Sequence, residues 1–113
     1  MEKLTYVFDI DGTICSDEHG NYEKCSPIRE RIEIINRLYL NGHTVVYMTA
    51  RGMDSCKGNQ ALAIKKYYKY TEKQLKSWGC LYNDLYLGKP KADYYVDDKG
   101  MIDIDFFNSN RRK

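Results

Sequence analysis

Residues 4–13 read LTYVFDIDGT, and this stretch decides the fold that the sequence predicts. It begins with a short apolar run rich in strand-forming residues, and the run stops at Asp9, Asp11 and Gly12. Such a pattern predicts a buried β-strand that opens into a loop. Side chains alternate along a strand, so we expect the carboxylates of Asp9 and Asp11 to face one pocket. An acidic pair that merely begins a turn is the ordinary alternative.

Apolar runs and helical patterns alternate along the rest of the chain. Capping residues, turn glycines and apolar spacing mark the bounds of each segment. The predicted elements are a helix from Ser26-Pro27 to Asn41-Gly42, a strand over 43–49, one or two helices over 60–78, strands over 84–87 and 94–96, and a fifth strand or a packed tail over 101–107. This order predicts the α/β class, in a single Rossmann-like, three-layer domain over residues 1–113 with a mostly parallel sheet of about five strands.

The composition limits the classes of function. The 113 residues carry 18 basic and 16 acidic side chains, a net charge of +2, which argues against a dedicated nucleic-acid or membrane-surface binder. The sequence has neither the pattern of a signal peptide nor an apolar run long enough to span a bilayer. The four cysteines form no C-x-x-C pair, so we expect reduced thiols and a cytoplasmic location. The 11 tyrosines are compatible with an interface between the subunits of a homo-oligomer.

Residues that can carry chemistry follow the ends of the later strands, where parallel sheets bind their ligands. The hydroxyl of Thr49 and the amide of Ala50 can donate to phosphate oxygens, and Lys89 adds a point charge suited to phosphate. The adjacent pair Asp97-Asp98 suits a hard divalent cation such as Mg²⁺. Taken singly, each has an ordinary explanation: a capping hydroxyl, a surface lysine and a solvated acidic pair.

As a set in this order, the motifs resemble those of the haloacid dehalogenase (HAD) superfamily of phosphohydrolases over nearly the whole chain. The matching residues are Asp9-x-Asp11-Gly12-Thr13, Thr49, Lys89 and Asp97-Asp98, each at a predicted strand end. The resemblance implies that Asp9 attacks phosphorus and forms an aspartyl phosphate. It implies that Asp11 protonates the leaving oxygen and later activates the hydrolytic water.

The resemblance also implies the remaining roles and a cofactor. The residues that would hold the transferring phosphoryl group are Gly12, Thr49, Ala50 and Lys89. Mg²⁺ would be bound by Asp9, the backbone carbonyl of Asp11 and Asp97, with Asp98 as a direct or outer partner. Attack by a carboxylate on a phosphate dianion needs this positive charge, and a covalent intermediate divides one difficult displacement into two easier ones.

The spacing of the motifs leaves no room for a cap domain. Asp9 and Thr49 are 40 positions apart, and so are Thr49 and Lys89. The chain most closely resembles small capless members of the superfamily that are associated with bacterial polysaccharide or capsule biosynthesis. An open site takes its specificity from loops or from another subunit. The candidate substrate contacts lie in two loops and are Thr13, Glu18, His19, Asn21, Tyr22 and Arg51.

The leading hypothesis is a Mg²⁺-dependent phosphomonoester hydrolase that acts on a small phosphorylated metabolite, with a sugar or polyol phosphate favoured. The alternative is a receiver-like signalling domain that stores an aspartyl phosphate without turnover. In such domains the acidic pair of the first strand is adjacent, whereas here Ile10 separates the two acids. A second D-I-D pattern, Asp103-Ile104-Asp105, lacks the glycine turn and is interpreted as a strand or tail with its acids in solvent.

Overall fold

The computed structural model describes residues 2–110, which form a small α/β fold. The elements in chain order are β1 (Thr5–Phe8), a 3₁₀ turn (Tyr22–Lys24), α1 (Arg29–Leu40), β2 (Thr44–Thr49), α2 (Gln60–Ser77), β3 (Asp84–Leu87) and α3 (Asp103–Ser109). The first three strands therefore lie where the sequence predicts them. None of the helices within the described residues is both long and apolar enough to cross a membrane.

The strands form one parallel sheet in the order β1-β2-β3. Phe8 pairs in register with Tyr47, and Tyr47 pairs with Leu85, so these three side chains share one face of the sheet. That face lies in the main core together with side chains from all three helices. The helical contributions include Ile32 and Ile35 from α1, Leu75 from α2 and Phe107 from α3.

The other face of the sheet is largely open to solvent. Val7 and Tyr86, which alternate with the core residues of β1 and β3, are 60% and 54% exposed. Within residues 2–110 the helices thus cover one side of the sheet and leave the edge strands bare on the other.

The prediction of a five-stranded, three-layer Rossmann-like domain is wrong: the described chain holds three strands and helices on one face. Residues 94–96 have strand-forming side chains but lie in no strand, and they are exposed. A parallel neighbour needs a crossover of about a dozen residues or more. Residues 88–93 supply only six between the end of β3 and the predicted fourth strand.

The predicted fifth strand is instead the helix α3. Asp103 and Asp105 lie in its first turn, where carboxylates interact favourably with the positive end of the helix dipole. Phe107 is buried against Phe8, with ring centroids 6.2 Å apart. Asp103 forms an ion pair with Arg31 of α1 at 2.6 Å, so only Asp105 fits the expectation of a solvent-exposed acid.

The helix bounds differ from the prediction in two places. α1 begins after Ile28 rather than at Ser26, because the backbone before it is already engaged: Ser26 N–H donates to Ser16 Oγ, and Pro27 lies in a bridge with Cys15. Residues 60–77 form one helix rather than two. Its N-terminus is capped by Asn59.

Candidate functional site

Asp9 lies directly beyond the carboxyl end of β1, which is exposed on one face and therefore not the buried strand that the sequence predicts, and before the turn at Gly12. Its Oδ1 is 3.7 Å from Lys89 Nζ, and Thr13 Oγ1 donates to its Oδ2 at 3.4 Å. Burial raises the pKa of Asp9 above its ordinary value of 3.8, while the charge of Lys89 offsets part of that rise. Asp9 is therefore a half-buried carboxylate whose nearby charged partner is a lysine from another strand end. Thr13, predicted as a substrate contact, instead orients this carboxylate.

Thr49 and Lys89 reach the same edge from β2 and β3. Thr49 pairs in register with Leu87, and the backbone N–H of Lys89 donates to Thr49 O at 3.2 Å. Thr49 is almost fully buried, and its Oγ1 accepts a hydrogen bond from the Arg51 amide at 3.1 Å. Within residues 2–110 the Thr49 hydroxyl proton has no hydrogen-bond acceptor and is available to a ligand. The structure thus brings together three of the four predicted strand-end motifs.

The turn after Asp9 depends on Gly12. Its φ of +84° is a backbone conformation that residues with a side chain rarely adopt. The turn closes on itself, with the amides of Thr13 and Ile14 donating to Ile10 O. The Gly12 amide, predicted to bind phosphate, donates to Cys15 O at 2.9 Å. In this conformation that amide is engaged within the loop.

Arg51, predicted as a substrate contact, is instead buried and bound to Asp11. Only 1% of Arg51 is exposed. Its Nε and Nη2 donate to Asp11 Oδ2 and Oδ1, both at 2.9 Å, which is the two-pronged geometry that suits guanidinium and carboxylate. Burial alone would lower the pKa of Arg51, but the bonds to Asp11 outweigh it and hold the pKa above its ordinary value. Arg51 therefore positions Asp11 and does not present its charge to solvent.

Tyr22 anchors the loop of residues 12–25 over this pair. Its ring lies under the Arg51 guanidinium, 4.6 Å from Cζ to the centroid, and its Oη accepts from the Gly52 amide at 2.8 Å. Gln74 of α2 donates to the Tyr22 carbonyl. Tyr22, another predicted substrate contact, is thus a structural anchor. His19 lies on the exposed part of the same loop with a φ of +53°.

Two thiols complete the surroundings of Asp11. Cys15 and Cys25 donate to Asp11 Oδ1 at 3.6 and 3.4 Å, and within the described residues these three groups form the one cluster whose ligand atoms lie close enough for a metal. Burial and the charge of Asp11 raise the pKa of both thiols, and metal ligation needs thiolates. The Arg51 guanidinium also donates to Asp11. We therefore interpret the two thiols as hydrogen-bond donors to a carboxylate rather than as ligands of a cation. Sequence reasoning missed these donors, since no local pattern links them to Asp11.

The fourth motif lies apart from the other three. Asp97 and Asp98 are exposed, and both contact Lys99: the Lys99 N–H donates to Asp97 Oδ1 at 2.6 Å, and Lys99 Nζ is 3.3 Å from Asp98 Oδ2. Asp9 and Asp97 share no cluster of metal-ligating groups within residues 2–110. Asp9 and Asp97, two of the predicted Mg²⁺ ligands, are therefore not gathered at one point within these residues.

Comparison with known proteins bears on the fold. No family model matches the chain, and no curated protein matches its sequence. It is similar to the crystal structure of an MCSG target from Vibrio cholerae, with 24% identity and a TM-score of 0.86 over 97% of this chain and 91% of that one. At this identity the likeness shows that the two chains share a fold.

Proposed function

We propose that this protein is a phosphomonoester hydrolase that works through an aspartyl phosphate on Asp9. The observation that carries the proposal is the meeting of Asp9 and Lys89 at the carboxyl edge of a parallel sheet, where Lys89 Nζ is 3.7 Å from Asp9 Oδ1 and the Lys89 amide donates to Thr49 O. A carboxylate nucleophile, a cation and a hydroxyl are groups that can attack, neutralise and position a phosphoryl group. They come from three separate strands, so their meeting is a product of the fold.

The proposed reaction has two displacements at phosphorus. A carboxylate oxygen of Asp9 forms a bond to phosphorus while the ester P–O bond breaks, and the leaving oxygen takes a proton. Water then attacks phosphorus, the bond to Asp9 breaks, and inorganic phosphate leaves. Lys89 offsets the negative charge on the phosphoryl oxygens in both steps.

Asp11 is the proposed donor and acceptor of the proton. Both of its oxygens are bound by Arg51, so one of them must be released before it can reach a leaving group. Mg²⁺, when bound, would add positive charge at the phosphoryl group. The two displacements at phosphorus occur in the same order with or without Mg²⁺. The proposed substrate is a small phosphorylated metabolite, with sugar and polyol phosphates first among candidates. The four buried, free cysteines support a reducing, cytoplasmic location.

The test is release of phosphate from an aryl phosphate in the presence of Mg²⁺. We expect Asp9→Asn to abolish turnover and Lys89→Met to lower kcat by roughly 10²–10³-fold, the usual cost of removing one group that stabilises developing charge. The matched control is Asp105→Asn, an exposed acid of the second D-I-D pattern, which should retain wild-type activity. Equal activity in the wild type and Asp9→Asn would refute the mechanism.

One observation favours a second candidate, a phospho-aspartate carrier without turnover. The hold of Arg51 on both oxygens of Asp11 would slow the water attack that frees the enzyme. Incubation with acetyl phosphate followed by intact-mass measurement separates the two functions. A stable adduct on Asp9 with no continued phosphate release would favour the carrier, whereas steady release with little adduct favours the hydrolase.

A further inference from the structure

We propose that a second copy of this chain completes the site by placing residues 94–98 along the free edge of β1. We call residues 90–102, which contain this segment, the arm. In the dimer, Asp97 and Asp98 of one copy would lie beside Asp9 of the other. The placement of these acids rests on the proposed function. The pairing of the arm with β1 does not depend on that function.

The arm exposes several large apolar side chains to solvent. Every residue from 90 to 102 is exposed, including Tyr94 at 85%, Val96 at 96% and Ile102 at 63%. A patch with this many exposed large apolar side chains is typical of an interaction surface. The arm also contains the strand-forming residues Tyr94, Tyr95 and Val96. This segment of the arm can therefore add to the edge of a sheet as a strand.

β1 offers the edge that such a segment would pair with. It lies at one end of the strand order and, within the described residues, has a strand neighbour on one side only. Its outward residue Val7 is 60% exposed. An unprotected edge presents unpaired amides and carbonyls and is a template for adding a strand from another chain. Both surfaces of the proposed contact are therefore apolar and strand-like.

The arm does not pair with this edge in its own chain within the described residues. Six residues, 88–93, separate β3 from the strand-forming segment, about half of what a parallel crossover needs. They also fold back: Tyr95 Oη donates to Pro90 O at 2.6 Å, and the Tyr95 ring lies 4.3 Å from Lys89 Nζ. At the far end, Asp103 is held by Arg31. The arm thus projects between two points held by its own chain, and exchange of an identical element between copies is a low-cost route to a dimer.

Parallel pairing in the dimer would bring the missing acids to the site. The carboxyl ends of parallel strands meet at one edge, so a segment 94–96 laid beside β1 places Asp97 next to Asp9. In one chain Asp97 and Asp98 have the neighbouring Lys99 as their partner. Joining them to Asp9 would gather three carboxylates, an arrangement that calls for a hard cation between them.

The first experiment measures the native mass of the full chain and does not require activity. We expect a dimer that Val96→Glu converts to a monomer, with the far-ultraviolet circular dichroism unchanged because Val96 is 96% exposed. Tyr94→Lys should behave in the same way. The matched control is Ile64→Glu on α2, also exposed but away from β1, which should remain dimeric. A wild type that is monomeric at all concentrations, or a dimer that survives both arm variants, would overturn the proposal.

The second experiment tests which of the two chains supplies Asp97 to a given site. Asp9→Asn and Asp97→Asn chains are unfolded together and refolded as a mixture. If the site is shared, each mixed dimer holds one intact site, so activity should return to about a quarter of the wild-type value from two inactive parents. No recovery would show that Asp97 acts within its own chain and would overturn its delivery by a partner.

A covalent test covers the case in which the wild type hydrolyses no phosphate. Val7→Cys and Val96→Cys chains are mixed and treated with a short bismaleimide, since the four native cysteines are buried. A crosslinked dimer is expected from this mixture and not from Ile64→Cys mixed with Val96→Cys. Crosslinking without phosphatase activity would leave the pairing standing and refute only the proposed reaction, and absence of the crosslink would refute the pairing.

Discussion

Two acidic pairs that look alike in the sequence differ completely in the folded chain. Asp11 of the first pair is bound by a guanidinium 40 positions away, and Asp9 lies near a lysine 80 positions away. Within residues 2–110 the nearby cation of Asp97 and Asp98 is Lys99, and both acids lie in solvent. The difference teaches that a carboxylate becomes part of a site through the groups that the fold places opposite it. The first pair has such groups within one chain, and we propose that the second finds them in another copy.

The largest expected effect comes from removing the cation of the first pair. Arg51→Met should destabilise the protein by about 3–5 kcal/mol, because it leaves the Asp11 carboxylate largely buried without its partner. Urea unfolding measures this difference. The matched change in the second pair, Lys99→Met, should leave the unfolding midpoint unchanged, since that pair is solvated. Equal effects of the two substitutions would show that the two acidic pairs do not differ in burial of their charge.

A smaller effect is expected from neutralising Asp9. Burial raises the pKa of Asp9 above 3.8, so the folded state holds the protonated form more readily than the unfolded state does. The protonated Asp9 carboxyl therefore stabilises the folded state below pH 3.8, and this contribution is lost as the pH rises through the folded pKa of Asp9. Asp9→Asn should therefore raise the melting temperature at pH 7, and the gain should vanish in acid. A gain that is the same at both pH values would show that burial of the charge is not its cause.

The smallest effect is expected from the third acidic pair. Asp103 forms a partly exposed ion pair with Arg31, so Asp103→Asn should cost about 0.2–1 kcal/mol. Asp105→Asn, its exposed neighbour in the same helix, should cost nothing measurable in the same urea titration. A loss above this range would mean that α3 depends on the ion pair more than on the burial of Phe107.

Local patterns predicted the local structure well where one element suffices. The apolar runs at β1, β2 and β3 and the long helix α2 lie where the sequence places them, because alternation and capping act over a few residues. The pattern failed at residues 94–96 and 101–107. There the side chains favour strands, yet a strand needs a neighbour that a connection of six residues does not reach, and Phe107 finds its burial against β1 as part of a helix.

The sequence likewise predicted one part of the candidate site and missed another. Strand-end position predicted that Asp9, Thr49 and Lys89 would meet, since parallel strands share a carboxyl edge. No rule of spacing predicted that Arg51 and Tyr22 would turn inward to hold Asp11. A guanidinium in a loop is equally compatible with solvent and with a buried carboxylate until the fold sets what lies within reach.

The sequence by itself therefore determined the three strands, the acids and cations at their ends, and the turn that Gly12 allows. Those features depend on backbone conformation and on residue order, both of which are local. The tertiary structure alone decided which charges are paired, which face of the sheet is covered, and that the second acidic pair stands apart. These depend on burial and on contacts across 40 residues or more, since the strength of a charge interaction is set by distance and by the exclusion of water.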